Sequence, residues 1–261
     1  MPKIPSGLRG PILLFLSSSG LLQLYWLASI SFPFLYPYYP YGFVAHALFY
    51  VAEFGLLYFY VRNVERKSFY DLGFKRIDGW KANVRLGFAL AIFHNVIYLA
   101  TSSTFMGLKL GYMLPIYVYV PVYFAMYLLI SVSEEGIFRG CILGQLLRKY
   151  GATAAIIVSS MLFGLYHIYY VPLILSREPS EVIFQASYAF QSFTAGLFLA
   201  YFYYKTGGNL LGPTSYHFSQ MFFNVPFLWT EAPLGTQIAS HQVSSALNII
   251  QILMIMRMKS H

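Results

Sequence analysis

The residues with the greatest capacity for chemistry are Glu134 and Glu135, adjacent acids in the run EEGIFRG that follow a long apolar stretch. A carboxylate at bilayer depth costs about 3 kcal/mol or more, so its presence there asks for a reason. Glu135 and Arg139 stand four residues apart with the acid first, the favourable order for an ion pair on a helix. Glu134 projects about 100° away around the same helix. Arginine can therefore neutralise Glu135 and leave Glu134 free to work. The competing reading is a structural salt-bridge cluster between helices, since buried ion pairs also serve as specificity devices.

Two histidines favour chemistry. His167 ends the segment FGLYH, with Phe163 one turn earlier on the same face, and His217 lies in SYHFSQMFFN. A lone membrane histidine is more often a helix-packing residue, but two of them accompanying a glutamate pair are less easily dismissed. His46 and His94 also lie in apolar spans and are assigned no role, and His241 and His261 lie near helix ends and read as solvent-facing. Glu53 stands alone in a span and is likewise left without a role. The single cysteine, Cys141, rules out an intrachain disulfide and a dithiol motif, and reads as a small buried apolar residue.

The elements that must carry these residues are membrane helices. Of 261 residues, 58% are hydrophobic and only 10% charged, whereas soluble domains carry roughly a quarter. The expected fold is all-α, a polytopic bundle of about eight transmembrane helices in one domain spanning residues 1–261. The spans fall near 11–31, 43–61, 86–105, 113–133 (helical on to 147), 151–168, 182–204, 209–228 and 240–256, the last being short and containing Gln251. The first run extends past a signal-peptide length without a small-residue cleavage site, so it reads as a retained helix. With the N-terminus in the cytoplasm, Lys109 and Arg177 fall outside and Arg139 within the membrane. The rest of the seventeen basic residues fall inside, so both termini are expected to be cytoplasmic in an integral, multi-pass protein of the cell membrane. The formal charge of +8 follows this topology and forms no nucleic-acid patch. The uncharged loop Phe32–Gly42, dense in Tyr and Pro, suits the membrane interface, and the polar stretch Arg62–Lys81 is expected to lie along the cytoplasmic surface.

The order EExxxR, then FxxxH, then a histidine in a later span resembles the CAAX-prenyl-protease and bacteriocin-processing family of intramembrane proteases. Here those elements are Glu134 to Arg139, Phe163 to His167, and His217, with DLGFKR (Asp71 to Arg76) before the third span. The likeness covers a core of about residues 70–225. It implies an endopeptidase in which Glu134 is the general base assisted by His167, while Glu135 and Arg139 hold the helix and its charges. His217 would help stabilise the oxyanion. The implied substrate is a membrane-associated peptide or lipidated protein, with membrane lipid as surroundings. No cofactor is expected. A zinc site using the same ligands is the second enzymatic reading, although HExxH is absent from the chain. The family has asparagine four residues after its last histidine, where this chain has Met221, which cannot donate a hydrogen bond. Gln220 and Asn224 are the donors nearby, and a non-catalytic membrane binder or immunity-type protein of the same fold is the alternative that Met221 favours. Measured along straight helices, Glu134, His167 and His217 stand at depths of about 20, 24 and 12 Å, so a tilt or a break near Gly136 is expected to bring them together.

Overall fold

A computed structural model describes residues 6–32, 42–106, 116–176, 178–224 and 233–257. The interfacial loop expected at Phe32–Gly42, the outside cations Lys109 and Arg177, and His261 lie almost wholly outside that set. The described chain is all-helical and polytopic. Helices α1 (Ser6–Ser31), α2 (Gly42–Phe59, extended by a π turn at Tyr60–Val64) and α3 (Trp80–Met106) come first. Then follow α4 (Ile116–Glu135, continued through a π-helix at Gly136–Leu143 and a last turn at Gly144–Leu147), α5 (Ala152–Tyr166) and the short α6 (Tyr170–Ser176). Helices α7 (Pro179–Lys205), α8 (Leu211–Asn224) and α9 (Leu234–Met256) complete the set. Among the described residues, six helices are long and apolar enough to cross a membrane. Helices α5 and α8 are shorter, and each has one end inside the bundle, α5 at Tyr166 and α8 at Leu211.

Helix is the form these apolar runs must take, because lipid offers backbone groups no partner outside their own segment. The expected spans fall on these helices, with ends within about six residues; positions 113–115 and 225–228 lie outside the described residues, and α3 begins at Trp80 where 86 is expected. The C-terminal span differs in the same way. There the sequence suggests a short helix from 240, whereas α9 begins at Leu234. The polar residues that obscure it are turned inward: Gln251 is fully buried, donates to the Leu90 carbonyl at 2.7 Å and accepts from Tyr216 at 2.9 Å.

Close approach of backbones, and not shape-matched aliphatic packing alone, builds the bundle centre. Helices α3 and α8 meet at Gly87 and Gly212, where a methyl on Gly87 would strike the Gly212 carbonyl oxygen. Helices α5 and α7 cross where Gly196 faces Ser160, whose Cα would lie 3.0 Å from an added methyl, and where Gly164 faces the Ala189 carbonyl, 2.8 Å from one. Small residues at membrane crossings allow this contact, which substitutes for the hydrophobic drive that lipid removes.

The basic helix ends gather at one end of the bundle. Gln145 of α4 donates to Tyr60 Oη at 3.1 Å and to Glu65 at 2.5 Å, beside Gly10 of α1. The stretch 65–79 does not simply lie along that surface. It forms a 3₁₀ turn at Phe69–Leu72, whose N-terminus is capped by Asp71 accepting from the Ser68 N–H and hydroxyl at 2.8 and 2.7 Å. These bonds hold the exposed Asp71 carboxyl below its ordinary pKa. The turn drives Leu72 inward, 2% exposed, against Gly140. Gly73, at φ 116°, then accepts from the Leu210 N–H at 3.0 Å.

If the α3–α8 crossing depends on a missing side chain, Gly87→Ala lowers stability by about 1–3 kcal/mol. Gly20→Ala, where nothing lies within 4 Å, leaves it unchanged or slightly raised. Thermal unfolding in detergent reads both.

Candidate active site

Glu134 and Glu135 end the α-helical part of α4, and the backbone widens immediately afterwards into the π-helix from Gly136. Such widening is rare and recurs at functional sites. Here it is tightly enclosed: every residue from Gly136 to Leu143 is buried, and a methyl at Gly136 would stand 2.5 Å from Leu57.

Glu135 is fully buried, and its Oε1 accepts from Arg139 Nη1 at 3.1 Å and from His217 Nδ1 at 2.9 Å. Arg139, 1% exposed, also donates through Nη2 to the Gly196 carbonyl at 3.4 Å and lies 4.2 Å from the Phe163 ring centroid. One cation thus links α4 to α5 and α7, a cation–π contact supplementing the ion pair.

Glu134 has a different environment. Its Oε1 accepts a long hydrogen bond from Tyr50 Oη at 3.4 Å, and its Oε2 is buried without a hydrogen-bond partner among the described residues. Buried polar atoms are rarely left so. Facing Oε2 are His167 Nε2 at 3.9 Å and His217 Nε2 at 3.8 Å. The partners of the rings settle their tautomers. His167 Nδ1 meets the Phe163 carbonyl at 2.8 Å, and a carbonyl can only accept. His217 Nδ1 meets the Glu135 carboxylate, which likewise accepts. Both Nδ1–H groups are therefore spent, and each neutral ring turns a bare Nε2 towards Glu134. Three basic atoms converge at distances beyond a direct hydrogen bond, an arrangement suited to sharing one small reactant.

A cavity of about 180 Å³ adjoins them, lined by Glu134, His167 and His217 together with Tyr50, Tyr166, Tyr169, Tyr188 and Gln220, among others. Straight-helix arithmetic had put His217 too shallow, and α8 explains the difference. Leu210, just before it, packs against Gly140, seven residues in from the end of α4 at Leu147. That sets the start of α8 about 10 Å deep and His217 near the depth of Glu134. Leu72, Gly140 and Leu210 also fill the bundle between the site and its basic end, while the cavity lining reaches Leu22, Tyr169 and Tyr188 in the other direction.

Of the residues considered for the position opposite Glu134, Gln220 and Met221 line the cavity, whereas Asn224, a turn further on, is not among the lining residues. Some residues passed over in the sequence belong here. Tyr50 touches Glu134, and Glu53, one turn later on α2, accepts from Ser18 and Tyr166 at 2.6 Å each. The signal available was Glu53 itself, an acid within an apolar span. His94 lines the cavity but has both ring nitrogens bonded, to Tyr216 Oη at 3.0 Å and Ser244 Oγ at 3.1 Å. His46 stacks on Tyr25. His241 does not simply face solvent, for its Nδ1 and Ser187 Oγ share a hydrogen bond of 2.7 Å.

Two imidazoles and a carboxylate are zinc-type donors, but tetrahedral zinc brings its ligand atoms to roughly 3.3 Å of one another. The separations here are wider, and among the described residues no group of three His, Cys, Asp or Glu side chains is placed to hold a metal ion. Buried Cys141 packs in the core apart from these groups.

The fold and site together define a polytopic helical membrane protein with a buried glutamate–histidine centre. Residues 116–223 match the family model described as type II CAAX prenyl endopeptidase Rce1-like. The match is consistent with the CAAX-prenyl-protease and bacteriocin-processing family that the motifs resemble, and it supports a CAAX-type intramembrane protease function. It runs from α4 through α8 to Phe223, taking in Glu134, His167 and His217 and leaving out α1 to α3 and α9. No curated protein matches the chain.

Removing Arg139 strands the Glu135 carboxylate in the interior, so Arg139→Ala costs about 3–5 kcal/mol. The double variant Glu135→Gln with Arg139→Met loses less, because neither charge remains. Unfolding midpoints of the three proteins in one detergent check this.

Proposed function

We propose that this protein is an intramembrane endopeptidase that hydrolyses a peptide bond of a membrane-associated peptide or lipidated protein. The observation that carries the reading is Glu134 Oε2, a buried carboxylate oxygen without a hydrogen-bond donor, faced by the Nε2 atoms of two oriented imidazoles. The Rce1-like family match supports it.

In this scheme water enters between Glu134 and the two rings. Glu134 Oε2 takes one of its protons as the water oxygen bonds to the substrate carbonyl carbon, with His167 Nε2 accepting the second hydrogen bond. The carbonyl π electrons move onto oxygen, giving a tetrahedral oxyanion. His217 has first taken a second proton from water at Nε2; with the Glu135 carboxylate behind Nδ1–H, it donates Nε2–H to that oxyanion and keeps the proton throughout. The C–N bond then breaks as the proton held by Glu134 passes to the leaving nitrogen, which restores the carboxylate. Glu135 and Arg139 hold the frame. Both termini and the basic helix ends face the cytoplasm in this reading.

A second reading is a non-catalytic membrane binder of the same fold, which Met221 favours because it provides no donor beside the oxyanion. The two are separated with full-length protein reconstituted in vesicles and internally quenched peptides ending in Cys-aliphatic-aliphatic-X, farnesylated or unmodified. Cleavage by the wild type falls at least about 10³-fold in Glu134→Ala, and His167→Ala follows in the same direction. Equal cleavage by wild type and Glu134→Ala removes the assigned base. Chelators leave the rate within about twofold if the carboxylate alone activates water, whereas loss on chelation and recovery with zinc would favour a metal site.

Met221 lines the cavity one turn from His217, so Met221→Asn supplies an amide donor there. It raises kcat by about tenfold with little change in KM, as read in the same peptide assay.

A further inference from the structure

Glu53 is a buried acid that the hydrolytic scheme leaves unused. It is 0% exposed, and no cationic side chain pairs with it among the described residues. Its Oε1 accepts two short hydrogen bonds, from Ser18 Oγ on α1 and from Tyr166 Oη on α5, each 2.6 Å long. One oxygen thus ties three helices together. Tyr166 is the residue immediately before His167, and the two rings meet edge to face with centroids 5.2 Å apart. The Tyr166 ring also packs edge-on against Phe138 in the π-helix of α4.

Helix α5 ends at this place, with His167 as its cap. A helix end inside hydrocarbon cannot use water to satisfy its backbone. Helix α1 serves it instead: Gln23 donates to the Ile168 carbonyl at 3.0 Å and accepts from the Val171 N–H at 3.1 Å. On α2, Tyr50 stands one turn before Glu53 and donates to Glu134 Oε1. The same stretch of α2 therefore touches the general base on one side and anchors the neighbour of an imidazole on the other.

We infer that Glu53 is a positioning residue of the hydrolytic site: by accepting from Ser18 and Tyr166 it fixes the end of α5, and so the direction in which His167 presents Nε2 to Glu134. The inference rests on the hydrolase reading above. Its physical basis is that both hydroxyls are buried donors, and one carboxyl oxygen satisfies them together. Without that oxygen the Tyr166 ring loses its anchor, and the His167 backbone loses the neighbour that holds it.

The test uses full-length protein in vesicles and the quenched Cys-aliphatic-aliphatic-X peptides. Glu53→Ala removes the acceptor, while Glu53→Gln keeps an oxygen in its place. In Glu53→Ala, kcat falls about 10²-fold, the loss that a displacement of about 1 Å carries, with KM nearly unchanged. In Glu53→Gln, kcat stays within about threefold of wild type. If Glu53→Ala does not fold, Tyr166→Phe breaks the same bond while keeping the ring and lowers kcat in the same direction. Hydrogen–deuterium exchange of these proteins reads the geometry without substrate: amides 168–171 exchange faster in the variants lacking the bond and at the wild-type rate in Glu53→Gln. Wild-type kcat in Glu53→Ala, unchanged exchange there, or a Glu53→Gln as impaired as Glu53→Ala each overturns the inference. Should wild-type protein cleave none of the peptides, the hydrolase reading fails separately, and the exchange comparison still decides whether Glu53 holds the α5 corner.

Discussion

A carboxylate in a hydrocarbon interior has no water to solvate it, so the protein must supply every partner it receives. The allocation between two adjacent glutamates is unequal. Each has one oxygen without a hydrogen-bond partner, but the other oxygen of Glu135 takes the arginine and a histidine N–H, while that of Glu134 has one long bond from a tyrosine. Arg139 could have served either acid by charge alone. Its cation–π contact with Phe163 and its bond to the Gly196 carbonyl commit it to the Glu135 side. This commitment leaves Glu134 under-solvated, and a buried carboxylate that lacks partners is the one with most to gain from an arriving proton.

The histidines reach Glu134 because two helices are short. Helix α5 stops at Tyr166 and α8 begins at Leu211, so both have an end inside the bundle. Ends at this depth leave backbone groups to be satisfied, and polar side chains do so: Gln23 for the exit from α5, and Asn209 for the entry to α8, where it accepts from the Leu211 N–H at 3.0 Å and donates to the Lys75 carbonyl at 2.9 Å. Small residues at the α3–α8 and α5–α7 crossings bring these helices close enough for side chains as compact as imidazole to meet across them.

The family match covers only part of this machinery. Helices α1 and α2 lie outside residues 116–223, yet Tyr50 contacts Glu134, and Ser18, Gln23 and Glu53 brace the turn at His167. The polar wall facing the two imidazoles also draws on His94 of α3 and Ser244 of α9. A site of this kind belongs to the whole bundle, because a polar group in a membrane must be enclosed from all sides by protein.

Composition and periodicity determined the class of fold, since so few charges over so many apolar residues leave a helical bundle as the one way to satisfy the backbone. The spacing of Glu135 and Arg139 determined their ion pair, because residues four apart share a helix face wherever that helix lies. The depth of His217 was not legible, because the sequence does not reveal that Leu210 starts α8 well inside the bundle. Nor was the part taken by Glu53: its partners Ser18 and Tyr166 are 35 and 113 residues away, and no local pattern encodes a bond of that range. Tertiary structure alone decided which nitrogen of each imidazole is left bare, and which of Gln220 and Asn224 reaches the cavity. Each depends on where another helix places a donor or a wall.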